Sequence, residues 1–142
     1  MTTEEVIKKL NELLEAERAG VEICAKLAEG LEDEKLKAYL FQEMKQDEAW
    51  SCAGLHKRIT ALGGIPSEKK GDFAQKVMAL KGLIDRLNLL NRGQMWVVKR
   101  IDALLASELD EETRAFLQEM REVHLQNIEW CDRKAQELKA SP

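Results

Sequence analysis

Apolar residues recur along this chain in steps of three and four, the spacing of one helix face. A first stripe, Val6, Leu10, Leu13/Leu14, Glu17, Val21, Cys24 and Ala28, predicts a helix over about 3–29. Thr2-Thr-Glu-Glu5 resembles a capping box at its start, and Gly30 is a stop at its end. Glu32-Asp33 places acidic side chains at the positive end of a second helix, over about 34–62, whose stripe is Leu40, Met44, Glu48, Ser51, Leu55, Ile59 and Leu62. Gly63-Gly64 ends it, and the stretch from Ile65 to Gly71 cannot be regular helix. A short helix over about 72–80 is packed by Phe73, Val77 and Met78. The third long helix, about 83–107, carries Leu83, Leu87, Leu90, Gln94, Val97, Ile101 and Leu104. The fourth, about 111–139, carries Leu117, Met120, His124, Asn127, Cys131, Ala135 and Leu138, and a short tail follows.

Every long stripe is interrupted by polar residues near its midpoint. Glu17 interrupts the first, Glu48 and Ser51 the second, Asn91 and Gln94 the third, His124 and Asn127 the fourth. Four helices of about 40 Å can close around one core, so residues 1–142 form a single all-α, antiparallel four-helix bundle. The connection between helices two and three is long enough to run from one end of that bundle toward the other. The polar interruptions then meet at one depth. A buried carboxylate without a partner is costly, so Glu48 must be paired, protonated or bound to a cation.

Composition narrows the function classes. The 142 residues are 44% hydrophobic and 34% charged, with a net charge of −4, so no nucleic-acid surface is indicated. No apolar run approaches the roughly 20 residues a bilayer requires, and the N-terminus lacks a signal-peptide pattern, so the expected location is cytoplasmic. Cys24, Cys52 and Cys131 have neither CxxC nor zinc-ribbon spacing and read as buried free thiols. Trp50, Trp96 and Trp130 are spaced as helix-interface packers. Arg92 and Arg121 flank the stripes, either solvated or facing an anionic ligand.

Two strings carry a family likeness. Leu10-Asn-Glu-Leu-Leu-Glu-Ala-Glu17 is similar to the start of a bacterioferritin, and Leu62-Gly-Gly-Ile-Pro66 with Gly71-Asp-Phe73 resembles the same group's crossover. A weak internal duplication, Glu48-Ala-Trp-Ser51 against His124-Leu-Gln-Asn127, suggests two related hairpins. The chain thus resembles the ferritin-like superfamily, in its bacterioferritin and rubrerythrin branch. Asn91-Arg-Gly-Gln-Met-Trp-Val-Val98 also looks like a string of uncharacterised bacterial ferritin-like proteins. The resemblance implies one Glu from each hairpin's first helix and a Glu-x-x-His from its second, jointly holding two iron ions.

Carried over position by position, Glu17 and Glu48 are kept, and Ser51 stands where a histidine would be. The second hairpin has Leu90 or Asn91 for the Glu, then His124 and Asn127 for Glu and His. A second register places Arg121 on the Glu and His124 on the histidine; Asn127-Ile-Glu-Trp130 favours the first. Two ions would have only two compensating carboxylates, which argues against a standard ferroxidase. One ion remains compatible. Glu17, Glu48 and His124 are the candidate ligands for a single Fe or Mn ion, with Zn not excluded. Ser51, Asn91, Gln94 and Asn127 are network partners or weak ligands. The expected partners are dioxygen or a small-molecule substrate, and a homodimer at most. The competing reading has no metal: Glu17, Glu48 and His124 form a hydrogen-bonded vestige or small-ligand pocket in a binding or structural module.

Overall fold

A computed structural model describes residues 1–140; Ser141 and Pro142, part of the expected tail, lie outside the described residues. The first helix, α1 (Thr3–Glu29), is capped by Thr2, whose hydroxyl accepts from the Glu5 amide at 3.2 Å. Glu5 holds that hydroxyl (3.2 Å) instead of turning back to the backbone, so half of the expected capping box forms. Asp33 caps the second rod by accepting from the Lys35 and Leu36 amides, each at 3.1 Å.

That rod is not the uniform α-helix expected over 34–62. It comprises α2 (Glu34–Ala38), a π-helical segment (Tyr39–Met44) and α3 (Lys45–Ala61), with helical backbone angles at both junctions. The burial pattern explains the segment. Leu36, Leu40, Met44 and Glu48 are all buried, and each lies four residues after the last. In a regular helix three such steps would swing the buried face by about 120°. A stretch of wider π turns absorbs the excess and keeps all four side chains inward. The run of fours, with no compensating step of three, was the available sequence signal.

Gly63 ends the rod at φ +87, and the Gly64 amide reaches back to the Ile59 carbonyl at 2.9 Å. The crossover is strapped along α1. Asn11 donates to the Ile65 carbonyl (3.1 Å) and accepts from the Ser67 amide (2.7 Å), while Arg18 donates to the carbonyls of Ser67 and Lys69. A short helix, α4 (Phe73–Ala79), buries Ala74 and Val77 before α5 (Leu83–Leu105) and α6 (Glu111–Ala140) complete the bundle.

α1 pairs with α3 and α5 with α6, and contacts of α1 with α5 and α3 with α6 close the bundle. One apolar cluster joins Ile23, Leu27, Leu36, Leu40, Met44, Leu87, Leu90 and Cys131. The other joins Val6, Leu10, Leu13, Leu55, Ile59, Ile101, Leu104 and Leu117. The start of α1 therefore lies with the ends of α3 and α5, so the crossover spans the bundle's length, as its size required. Among the described residues no helix is long and apolar enough to cross a membrane.

Two local features fix how α3 meets α6. Arg58 is buried despite its charge and pairs with Glu112 at 3.0 Å and Asp110 at 3.8 Å. Gly54 makes room for Phe116: a Cβ there would lie 2.0 Å from the ring. Gly54→Ala should therefore cost about 1–3 kcal/mol of stability by overpacking. Adding Phe116→Leu should restore most of it, and thermal melts of the two variants check this. Equal losses in both would show that Phe116 is not the obstacle.

Candidate metal centre

Between the two apolar clusters lies a layer of buried polar side chains: Glu17 from α1, Glu48 and Ser51 from α3, Gln94 from α5, His124 and Asn127 from α6. Each helix delivers its polar residue there because the flanking stripe residues are locked into one cluster or the other. Three of these side chains converge. Glu17, Glu48 and His124 each offer a ligand atom, all within 4.8 Å of one another.

His124 sets the chemistry. Its Nδ1 lies 2.8 Å from the Met120 carbonyl, one turn back on the same helix. A carbonyl only accepts, so Nδ1 carries the proton, and Nε2 is turned toward the carboxylates. Nε2 stands 2.6 Å from Glu17 Oε1 and 3.9 Å from Glu48 Oε1. Neither Nε2 nor Glu17 Oε1 has a hydrogen-bond partner of acceptable direction, despite that approach. Two lone-pair atoms held this close, dry and misaligned for a hydrogen bond, call for a cation between or beside them. Without a metal the cation is a proton on Nε2. Burial disfavours the charged imidazole, but the Glu17 carboxylate, the Met120 carbonyl and more distant Asp47 outweigh it and hold the pKa above the ordinary 6.5.

Gly20, one turn after Glu17, makes room for Glu48. A Cβ at Gly20 would stand 2.7 Å from Glu48 Oε2 and 2.9 Å from its Cδ. The glycine thus lets α3's carboxylate reach across α1's surface. The spacing of the stripe did not mark this residue.

The four candidate helper residues divide. Gln94 is buried beside the cluster with both amide atoms unpartnered, and Ser51 Oγ is likewise unpartnered. Asn127 is engaged elsewhere: its Oδ1 accepts from Tyr39 Oη and its Nδ2 donates to Asp47 at 3.1 Å. Asn91 donates to the Ile128 carbonyl at 3.0 Å. Arg121 pairs with Asp102 at 2.6 Å. Tyr39 and Asp47 were not anticipated. Tyr39 also stacks on Trp130 with centroids 3.6 Å apart.

Trp50 touches Phe116 and Trp96 carries Arg100 over its ring, but both tryptophans are more than a third exposed, 38% and 39%, so neither is the buried interface packer expected. Burial pushes the thiols of Cys52 and Cys131 up to about 11 and about 12, and raises Cys24 as well, so none is poised as a thiolate ligand or nucleophile.

A cavity of about 710 Å³ opens from the cluster toward the surface between α1, α4 and α5. Glu17, Glu48, Gln94 and His124 line its inner part, and Arg92, Trp96 and Arg100 also border it. The donor set fits one divalent ion: two carboxylates balance its charge, and the imidazole offers a free lone pair once Nε2 is deprotonated.

The profile of a domain of unknown function, DUF6306, matches residues 4–133. The crystal structure of ferritin-like, diiron-carboxylate proteins from Bacillus anthracis strain Ames matches with a TM-score of 0.80. That match covers 95% of this chain and 99% of that one at 20% identity, and the fold is ferritin-like. Among curated proteins none matches.

Two outcomes follow from the cluster. Because the folded pKa of His124 is raised, its stabilising contribution in metal-free protein is full below the unfolded value and lost as pH rises through the folded one. Melting temperatures of chelator-stripped protein should therefore fall from about pH 6.5 upward, and His124→Gln should flatten that limb. An unchanged limb in the variant would refute the assignment. Gly20→Ala should displace the Glu48 carboxylate and weaken binding of one divalent ion about tenfold, read by competition with a chelating dye.

Proposed function

This chain belongs to the DUF6306 family, whose description assigns no function, and from its buried residues we propose that it binds one iron or manganese ion for redox or oxygen-linked chemistry on a small molecule. The observation that carries this reading is the Glu17–Glu48–His124 cluster, whose facing acceptor atoms require a cation. The fold of the Bacillus anthracis diiron-carboxylate structure supports it. Among the described residues, however, three ligating side chains converge, and their two carboxylates carry enough charge for one divalent ion.

When bound, such an ion supplies one-electron steps and Lewis acidity toward dioxygen or a peroxide. The remaining work falls to this chain's own residues. Glu17 and Glu48 neutralise the ion's charge in a dry interior, where an uncompensated charge is costly. The Met120 carbonyl holds His124 in the tautomer that presents Nε2. The two apolar clusters close both ends of the layer to water, leaving the α1–α4–α5 cavity as the route of entry. Glu17, Glu48 and His124 would hold the ion, and the cavity would admit a small molecule beside it.

One observation favours a second reading: the 2.6 Å approach of His124 Nε2 to Glu17 also suits a protonated imidazole ion-paired with that carboxylate, in a metal-free binding module. Elemental analysis of untagged protein grown with iron and manganese separates the two. About one equivalent of iron or manganese per chain, lost in Glu48→Ala, is the expected result. A metal-free protein whose Glu48→Leu variant melts higher would select the second reading, since a packed apolar residue outperforms a buried polar one that binds nothing.

A further inference from the structure

The cavity beside the cluster has a chemistry of its own. Gln94 is 3% exposed and lines it, yet neither its Nε2 nor its Oε1 has a partner. An amide with both atoms unanswered at a cavity wall calls for a group that donates and accepts at once, such as a hydroxyl. Farther along, Phe73, Trp96 and Val97 supply apolar wall. Phe73 is seated by Gly93, where a Cβ would lie 2.4 Å from the ring.

Three basic residues border the cavity, and they are not equivalent. Arg100 pairs with Glu12 at 3.3 Å, and Lys76 with Asp72 at 3.8 Å. Arg92, exposed on α5, has no ion pair or hydrogen bond among the described residues. Glu12 and Glu15 on α1, and Asp72, also border the cavity, Glu12 and Asp72 being the partners of Arg100 and Lys76. The α5 side thus presents a free guanidinium, an apolar stretch and a buried amide that both donates and accepts.

We propose that this cavity binds a small hydroxylated organic acid, with its carboxylate on Arg92, its apolar body along Phe73 and Trp96, and its hydroxyl on Gln94. A guanidinium takes a carboxylate through two parallel hydrogen bonds, which fixes the acid's direction. The hydroxyl end then lies beside Glu17, Glu48 and His124. That this acid is a substrate rests on the metal reading above; that it binds does not.

Isothermal titration with 4-hydroxyphenylacetate as the probe, on metal-stripped and iron-loaded protein, tests this. Phenylacetate lacks the hydroxyl, and 4-hydroxyphenylacetamide lacks the charge. Arg92→Gln should weaken binding of the acid about tenfold while leaving the amide unaffected. Gln94→Leu should erase the preference for the hydroxylated acid over phenylacetate, about tenfold in the parent. Arg92 is exposed and Gln94→Leu places an apolar side chain in the core, so both variants should fold. Binding to metal-stripped protein with both dependences upholds the site even if the protein never retains metal. Metal retention without acid binding, or binding indifferent to both substitutions, overturns the site and leaves the metal reading standing.

Discussion

The bundle is arranged around a difficulty at its centre: two carboxylates and an imidazole share one buried layer, and Glu17 Oε1 and His124 Nε2 there have no hydrogen bond to satisfy them. Apolar clusters above and below hold that layer in place, and its side chains meet outside space through the cavity between α1, α4 and α5. The compensations are local. Met120 fixes the imidazole's tautomer, and Gly20 clears space for the second carboxylate. What remains is a demand for positive charge, met by a proton or by a metal ion, and the two differ in everything the protein could do.

The two hairpins meet that demand unequally. The first supplies both carboxylates. The second supplies the imidazole, and its other polar residues have turned to different tasks. Asn127 links Tyr39 to Asp47, tying α6 to the second rod, while Gln94 faces the cavity. The volume beside the cluster opens between α1, α4 and α5, where Leu90 offers no carboxylate.

Most of the architecture was legible because a 3.6-residue period is visible wherever apolar and polar residues alternate around a helix. Glu17, Glu48 and His124 were legible for the same reason: each is a polar break in an apolar stripe. What periodicity cannot show is direction within a layer. Asn127 and Asn91 lie at the expected depth, yet their amides bond to Asp47 and the Ile128 carbonyl. Gly20 was invisible because its contribution is an absent Cβ opposite another helix. Arg58 was hidden by its charge, since its burial depends on Glu112 and Asp110, about fifty residues away in sequence. Trp96 was misjudged because an aromatic at helical spacing can border a cavity as readily as pack an interface.

The π-helical segment carries a consequence for how this rod tolerates change in length. Wide turns of that kind accommodate one residue more than a regular helix would need over the same span. Losing a single residue between Leu40 and Met44 would let the backbone relax into ordinary α-helix, with no break and little local strain. The same loss would rotate everything on one side of it by about 100° relative to the other. Either Leu36 or Glu48 would then face outward, so the apolar core and the Glu17–Glu48–His124 cluster could not both keep their anchors. The segment is thus a phase lock between the two halves of the rod, and it makes an apparently harmless deletion incompatible with the centre.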